Sequence, residues 1–375
     1  MNIFGIMLLS VIIPLYNNVL YIQDCIDSLY RQGIDDSDFE IIIIDDGSTD
    51  GGGEFADKIA AKYVNISVFH QANQGTGEAR NTGLSKAQGE YLHFVDPDDF
   101  MFDNSYRYII DELLTKDPDI IWFSYVKDGI LGNAYQWGEI AYQGKSKDYY
   151  ATHGMRVNLP FKWYKRSFVQ KHAIAFPSIS YSEDNVFTWD SLRYESTLII
   201  SHAKLYSYRT HASSSVQNRA VNHVKRTIND LIVANHKLKE FSIEYIDCPA
   251  VKSNFMHKYL VLFNRILCMP YSHKEIIDIF SQCAEIGIEH LNKTDELKWI
   301  DKIYHHPTKY YYTQVFVLIR YFCKNWINAQ SGDFIDRRLT ANKISQRIIV
   351  LSYRPWVFLY SLLYRVLNKI RIIIN

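Results

Sequence analysis

Residues 93–100 read "HFVDPDDF", so Asp96, Asp98 and Asp99 crowd around Pro97 directly after the apolar run Tyr91 to Val95. Like charges this close repel, and Asp and Pro both end strands rather than extend them. A cation, or a ligand rich in hydroxyls, would make the cluster favourable. A hard divalent cation such as Mg2+ takes carboxylate oxygens together with diphosphate oxygens. If the strand stays extended, Asp96 and Asp98 point roughly the same way, one toward a ribose and one toward a metal. A second acidic pair, Asp45-Asp46, follows the run Ile41 to Ile44. Taken alone, each cluster also fits a turn with an N-cap or a polar strand-to-helix loop.

The elements that must position these acids alternate in type. Val11 to Ile13 is an apolar run closed by Pro14, which reads as a first strand over Ser10 to Pro14. Asn17 or Asn18 can cap a helix whose Leu20, Ile22, Cys25, Ile26 and Leu29 follow helical spacing. Ile41 to Ile44 is the continuous β-branched run of a strand covered on both faces. Asp50 can cap the next helix, which turns Phe55, Ile59 and Ala60 inward. Further strands are predicted over 66–69, 91–95 and 120–123, with a helix from Glu78 to Ala87 ended by Gly89. This alternation argues for a parallel, doubly wound α/β sheet, in which ligands bind beyond the carboxyl ends of the strands. Both acidic clusters fall at such ends, so two strands aim carboxylates at one edge.

A chain of 375 residues has room for two domains, and 47% hydrophobic with 22% charged residues is ordinary for a folded protein. The formal net charge is zero, so no global field recruits nucleic acid. Five widely spaced cysteines with no C-x-x-C pair suit reduced thiols in the cytosol. The opening "MNIFGIMLLSVIIPLYNN" is as apolar as a signal peptide, yet has no Lys or Arg ahead of its apolar run and no small-residue cleavage pattern. Beyond about residue 220 the segments 224–238, 254–267 and 273–286 read as helical. From Arg337 onward there are Lys and Arg but no Asp or Glu. A terminal helix would align Trp356, Leu359, Leu363, Val366, Leu367, Ile370 and Ile374 along one side. Arg365, Lys369 and Arg371 make spanning a bilayer costly, so the stretch reads as an in-plane basic helix on an anionic membrane surface. The alternative is an ordinary helix packed on protein.

Several blocks occur in a fixed order: "VIIPLYN" (11–17), "IIIIDDGSTDGG" (41–52), "NQGTGEARNTGLSKAQGEYLHFVDPDD" (73–99), "KWYKRSFVQKHAIAFP" (162–177), "YSEDNVF" (181–187) and "YSYRTHASSSV" (206–216). Together they resemble the family 2 glycosyltransferases of the bacterial polysaccharide-biosynthesis type, inverting enzymes of GT-A fold that use nucleotide sugars. The resemblance covers residue 10 to about 216. It implies a Rossmann-like, doubly wound, mostly parallel GT-A sheet over 1–220. A mainly helical C-terminal domain would follow over 221–335, then the basic amphipathic tail 336–375.

Carried over position by position, the resemblance places Pro14, Tyr16 and Asp46 at the nucleotide base, with Asp46 accepting from the N3–H of a uracil. Asn73, Gly75 and Arg80 would border the base and diphosphate, and Asp96 would bind the ribose. Asp98 would ligate Mn2+ or Mg2+ on the diphosphate, with Asp99 a second ligand or a cap. His211 is a further candidate metal ligand, and Arg209 would close over the diphosphate. Asp184 would be the catalytic base, with Glu183 beside it. Inversion by one displacement needs a base on the acceptor hydroxyl and a stabilised anionic leaving group. Glu183 as a like charge, with Val186 and Phe187 as apolar surroundings, would raise the basicity of Asp184.

Each residue also has a plainer reading. Glu183 and Asp184 suit a helix N-terminus, Arg80 suits a helix-surface ion pair, and His211 suits a hydrogen-bonded structural histidine. Trp163 and Tyr164 could stack on a sugar or simply pack. Pro97 stands where the family often has Ser, which stiffens the metal loop but leaves both carboxylates. Phe161 precedes Lys162 where an Asn is common, which points to a different acceptor side. With no Q-x-x-R-W motif, transfer of a single hexosyl or N-acetylhexosaminyl group is expected rather than polymerisation. The expected partners are a UDP-sugar donor, a glycan or lipid-linked acceptor, and the inner face of the cell membrane through the tail. The alternative is a non-catalytic nucleotide-sugar-binding membrane scaffold.

Overall fold

The computed structural model describes residues 7–153, 159–211 and 221–244. All of them lie in a compact unit spanning Met1–Met269. The predicted helical segments 254–267 and 273–286 and the basic tail 336–375 lie outside the described residues.

Along the chain the elements are β1 (Leu9–Leu15), α1 (Ile22–Leu29), β2 (Phe39–Asp45), α2 (Gly52–Ala60), β3 (Ile66–His70), α3 (Thr76–Lys86) and β4 (Tyr91–Phe94). Then follow β5 (Phe100–Met101), α4 (Ser105–Tyr108), β6 (Ile120–Lys127), β7 (Ile140–Lys145) and α5 (Ser146–His153). A turn at Leu159–Phe161 leads into β8 (Lys162–Lys165), α6 (Arg166–Lys171), α7 (Glu183–Arg193), β9 (Thr197–Tyr208) and α8 (Val221–Glu244). The strands form one sheet in the order β3-β2-β1-β4-β8-β6-β9-β5, with β7 also on β9.

The first half is the expected parallel, doubly wound unit: β1 pairs in parallel with β2 and β4, and β2 with β3. Beyond β4 the sheet is mixed. β8 is antiparallel to both β4 and β6, while β6 and β9 are parallel. Two antiparallel steps restore direction, so β6 ends at the same edge as β4. The order reverses between β1 and β4, the switch point where open α/β sheets hold ligands.

The strand predicted to close at Pro14 continues to Leu15. The β1–β4 ladder ends where Val95 N–H donates to the Ile12 carbonyl at 3.0 Å. Pro14 turns its backbone to that same side, so its missing N–H forfeits no sheet bond. The expected cap at Asn17 or Asn18 is not formed, because α1 starts later and has no side-chain cap. Asn17 instead sits in the left-handed region (φ 52°), and its side-chain oxygen accepts from Thr49 N–H at 2.8 Å. Asp50 accepts from Gly52 N–H at 2.9 Å and from Val19 N–H at 3.0 Å. These bonds join the loops after β1 and β2 into one platform at the carboxyl edge.

Packing decides the aromatic question. Trp163 and Tyr164 are fully buried, in register with His93 and Leu92 of β4. They belong to the core, and the sugar-stacking reading of both is withdrawn. His93 bonds Tyr106 Oη through Nδ1 at 2.9 Å and the Pro160 carbonyl through Nε2 at 2.8 Å. Burial holds its pKa down at about 4. The ring is therefore neutral at physiological pH, with Nε2–H donating to Pro160 and Nδ1 accepting from Tyr106, and it ties β4 to the 159–161 turn.

Candidate active site

The loop after β2 divides its acidic pair. Asp45 turns away from the edge: Ser48 N–H donates to it at 3.0 Å, and His70 Nδ1 lies 2.9 Å from its other oxygen. Burial raises the Asp45 pKa, but these bonds outweigh it and leave the carboxylate below its ordinary value. Asp46 is buried against the 71–75 loop, accepting from Gln71 Nε2 at 2.9 Å and from Gln74 N–H and Gly75 N–H at 2.8 Å each. Gly75 has φ 92°, and an added Cβ would meet Ser180 Oγ at 3.2 Å, so this position needs glycine. Tyr16 and Asn73 are exposed beside this loop.

Arg80, from α3, is the buried centre of the site. Its two terminal nitrogens donate to Asp96 Oδ1 and Glu183 Oε1, each at 2.8 Å. Its guanidinium lies 5.5 Å from the Phe176 ring centroid. Burial disfavours the cation, and the two carboxylates more than offset this. The helix-surface reading of Arg80 fails, because α3 turns this side chain inward between the β4 loop and the start of α7.

Glu183 and Asp184 open α7 behind Ser182, which sits in the left-handed region at φ 68°. Burial pushes Glu183 up to about 7, with Arg80 pulling down and Asp184 pushing up. Asn185 Nδ2 donates to one oxygen of Asp184 at 3.0 Å. Lys162 is buried nearby, its Nζ 4.8 Å from the Trp122 ring centroid. Burial holds Lys162 down at about 7, and the Asp184 charge raises it in part.

The acidic loop after β4 is divided in the same way. Asp99 is almost fully buried and accepts from Tyr206 Oη–H at 2.7 Å and Arg209 N–H at 2.8 Å. Burial, with Asp96 and Asp98 as like-charged neighbours, pushes its pKa up to about 9. Strand β5, not a helix, starts directly after it, so it caps no helix and instead anchors the end of β9. Asp98 is more open, and His211 Nε2 lies 2.7 Å from its Oδ2. The His211 ring packs on Tyr21 at 4.6 Å between centroids. Arg209 reaches back to Asp24 at 3.0 Å and lies over the Tyr21 and Phe100 rings.

Among the described residues, no group of three or more His, Cys, Asp or Glu side chains is arranged to hold a metal ion. Asp98 and His211 offer two donors. That number suits a hard cation completed by phosphate oxygens and water rather than a closed protein cage.

The structure thus brings together Asp96, Asp98, Asp99, Arg80, Glu183, Asp184, Arg209 and His211 at one edge, with Pro14, Tyr16, Asp46, Asn73 and Gly75 along the β1–β2 side. Tyr206 and Lys162 went unassigned in the sequence reading. Both lie inside blocks that carried the resemblance, but only their contacts distinguish them from neighbouring Tyr and Lys residues.

A Rossmann-like half carrying acidic loops at its switch point defines an open α/β class, and comparison with known proteins narrows it. Residues 10–176 match the family described as "Glycosyl transferase family 2". An uncharacterized glycosyltransferase of Haemophilus influenzae is 30% identical over 198 residues, which is 52% of this chain and 76% of that protein. The chain belongs to glycosyl transferase family 2. The uncharacterized glycosyltransferase EpsJ of Bacillus subtilis is 31% identical over 216 residues, covering 55% of this chain and 62% of EpsJ, so this chain matches less than two thirds of EpsJ. S. aureus TarS 1–349 in complex with UDP superposes with a TM-score of 0.54 at 19% identity, over 80% of this chain and 86% of that one. That likeness shows a shared GT-A fold.

Proposed function

We propose that the chain is an inverting glycosyltransferase that moves one hexose or N-acetylhexosamine from a UDP-sugar to a hydroxyl of a glycan or lipid-linked oligosaccharide. The observation that carries this reading is Arg80 drawing Asp96 and Glu183 to one edge of the sheet. A leaving-group site and a base are thereby set beside each other. The UDP bound by TarS supports the choice of donor.

In this reading Pro14, Tyr16, Asp46, Asn73 and Gly75 receive the base, and Asp96 turns its second oxygen to the ribose. Asp98 and His211 would hold Mn2+ or Mg2+, which acts when bound as a Lewis acid on the departing diphosphate. Arg209, held beside the same acidic loop by Asp99, would bring its charge to the diphosphate. Asp99 acts by position, fixing Tyr206 and the backbone at Arg209. Asp184 takes the proton of the acceptor hydroxyl through the oxygen that Asn185 does not hold. Glu183, pinned by Arg80, sets the start of α7 and so the place of Asp184. A lipid-linked acceptor would put the reaction at the inner face of the membrane. The basic, apolar composition of 336–375 supports this placement.

The test is nucleotide release from a panel of UDP-, GDP- and dTDP-sugars, with Mn2+ or chelator, on the wild type, Asp98→Asn and Asp184→Asn. Donor binding is recorded in the same samples. Metal-dependent release from one donor, lost in both variants, is expected. Binding without turnover, even after lipid-linked acceptors are supplied, would favour the scaffold alternative, and no binding at all would sink both.

A further inference from the structure

Trp163 and Tyr164 being core residues leaves open which aromatic a sugar ring could meet. Among the described residues, three large aromatics are substantially exposed: Trp137 at 72%, Tyr16 at 46% and Tyr125 at 45%. Trp137 sits next to the Gln136–Lys204 bridge on the β9 side, whereas Tyr16 and Tyr125 stand at or near strand ends on the carboxyl edge. Tyr16 follows β1, on the side assigned to the base. Tyr125 is near the carboxyl end of β6, on the far side of β4 from β1. Two strand spacings separate β4 from β6 in the sheet order, about 10 Å. Tyr125 thus stands across the β4 loop from the side assigned to the base, where an acceptor ring would meet a donor sugar held at that loop.

The ring is built into place. Tyr125 stacks on Phe161 with centroids 4.2 Å apart and planes 13° from parallel. Phe161 is itself buried and meets Tyr206 edge-on at 5.1 Å. Tyr206 in turn donates to Asp99. Phe161 also immediately precedes Lys162, whose ammonium feels the charge of Asp184. One face of Tyr125 is thus fixed by a stack that runs to both the acidic loop and the base helix, and the ring stays open on its outer side. A rigid, half-covered aromatic offers a large contact area at small entropic cost, and its face suits the C–H side of a pyranose.

We propose that the outer face of Tyr125 is the platform for the acceptor pyranose, holding its ring so that a hydroxyl points to Asp184. Phe161 is the positioning residue beneath it. This rests on the glycosyltransferase reading above and adds the acceptor side to it. It also gives a physical meaning to Phe161 at the position where the family often carries Asn.

The probe is a set of methyl β-glycosides of glucose, galactose and N-acetylglucosamine. Their binding to the full chain, with UDP and Mn2+ present, is followed by saturation-transfer NMR. UDP affinity is measured separately by calorimetry. Tyr125→Phe keeps the ring and should stay within about twofold of wild type, whereas Tyr125→Ala should weaken the pyranoside Kd by about 3- to 10-fold. UDP affinity should be unchanged in both. Tyr125→Leu, which still covers Phe161 but has no ring, should behave like Tyr125→Ala and guards against a folding defect. Unchanged pyranoside binding in Tyr125→Ala and Tyr125→Leu would overturn the platform and leave the glycosyltransferase reading standing. So would a wild type that binds UDP and none of the pyranosides. A wild type that binds no UDP would sink the underlying reading, and the platform with it.

Discussion

Asp98 and His211 are 113 positions apart in sequence, yet His211 Nε2 lies 2.7 Å from Asp98 Oδ2. The contact closes the end of β9 onto the loop after β4. If the pair holds a cation shared with the donor, His211→Ala should raise the Mn2+ concentration needed for half-maximal UDP binding by about 10-fold or more. Asp98→Asn should raise it further, and chelator should abolish the metal-dependent part of binding. Calorimetric titration of UDP at stepped Mn2+ checks this. Equal Mn2+ dependence in all three proteins would mean the pair is structural.

Arg80 stands between two carboxylates in a buried setting, so removing it leaves uncompensated charge. Arg80→Met should lower unfolding free energy in urea by about 3–5 kcal/mol. Adding Glu183→Gln to that variant should recover part of the loss, because one stranded carboxylate becomes neutral. Strictly additive effects would show that Arg80 and Glu183 are not coupled.

Glu183 and Lys162 give opposite pH dependences on either side of neutrality. The folded Glu183 keeps its proton to about 7, against an ordinary value of 4.5. The folded state therefore binds more protons between these values, and this group lowers stability as pH rises through that window. Lys162 releases its proton in the folded state near 7, against an ordinary 10.5. The unfolded state then binds more protons, and stability from this group rises with pH between 7 and 10.5. Glu183→Gln should flatten the first slope and Lys162→Met the second, read as Tm against pH.

Asp46 accepts three hydrogen bonds from the 71–75 loop. An amide has one oxygen for these donors and brings two N–H groups of its own. Asp46→Asn should cost about 1–3 kcal/mol. It should also speed hydrogen exchange at Gln74 and Gly75 and weaken UDP binding. Unchanged exchange there would mean the loop is held by other contacts.

Much of this was legible in the chain. The β-branched run at Ile41 to Ile44 and the polar stops after it and after Val95 gave the parallel half and put both acidic clusters at one edge. Long-range partners were not legible. Asp45 and Asp46 are neighbours with the same side chain, yet one turns to His70 and the other to the 71–75 loop. Asp96, Asp98 and Asp99 likewise go to Arg80, His211 and Tyr206. The Asn17 cap misled because a residue that can cap a helix can equally cross to another loop, and Thr49 offered the competing donor.

By itself the sequence determined the alternation of elements, the edge where carboxylates gather and the blocks shared with family 2 glycosyltransferases. These follow from local rules, namely side-chain periodicity, strand-ending residues and turn chemistry. The tertiary structure decided that Arg80 is a buried bridge, that Trp163 and Tyr164 are core, and that Tyr125 faces out near the end of β6. Periodicity assigns a residue to a face of its own element. Only sheet order and register, set by contacts between residues far apart in the chain, decide what that face meets.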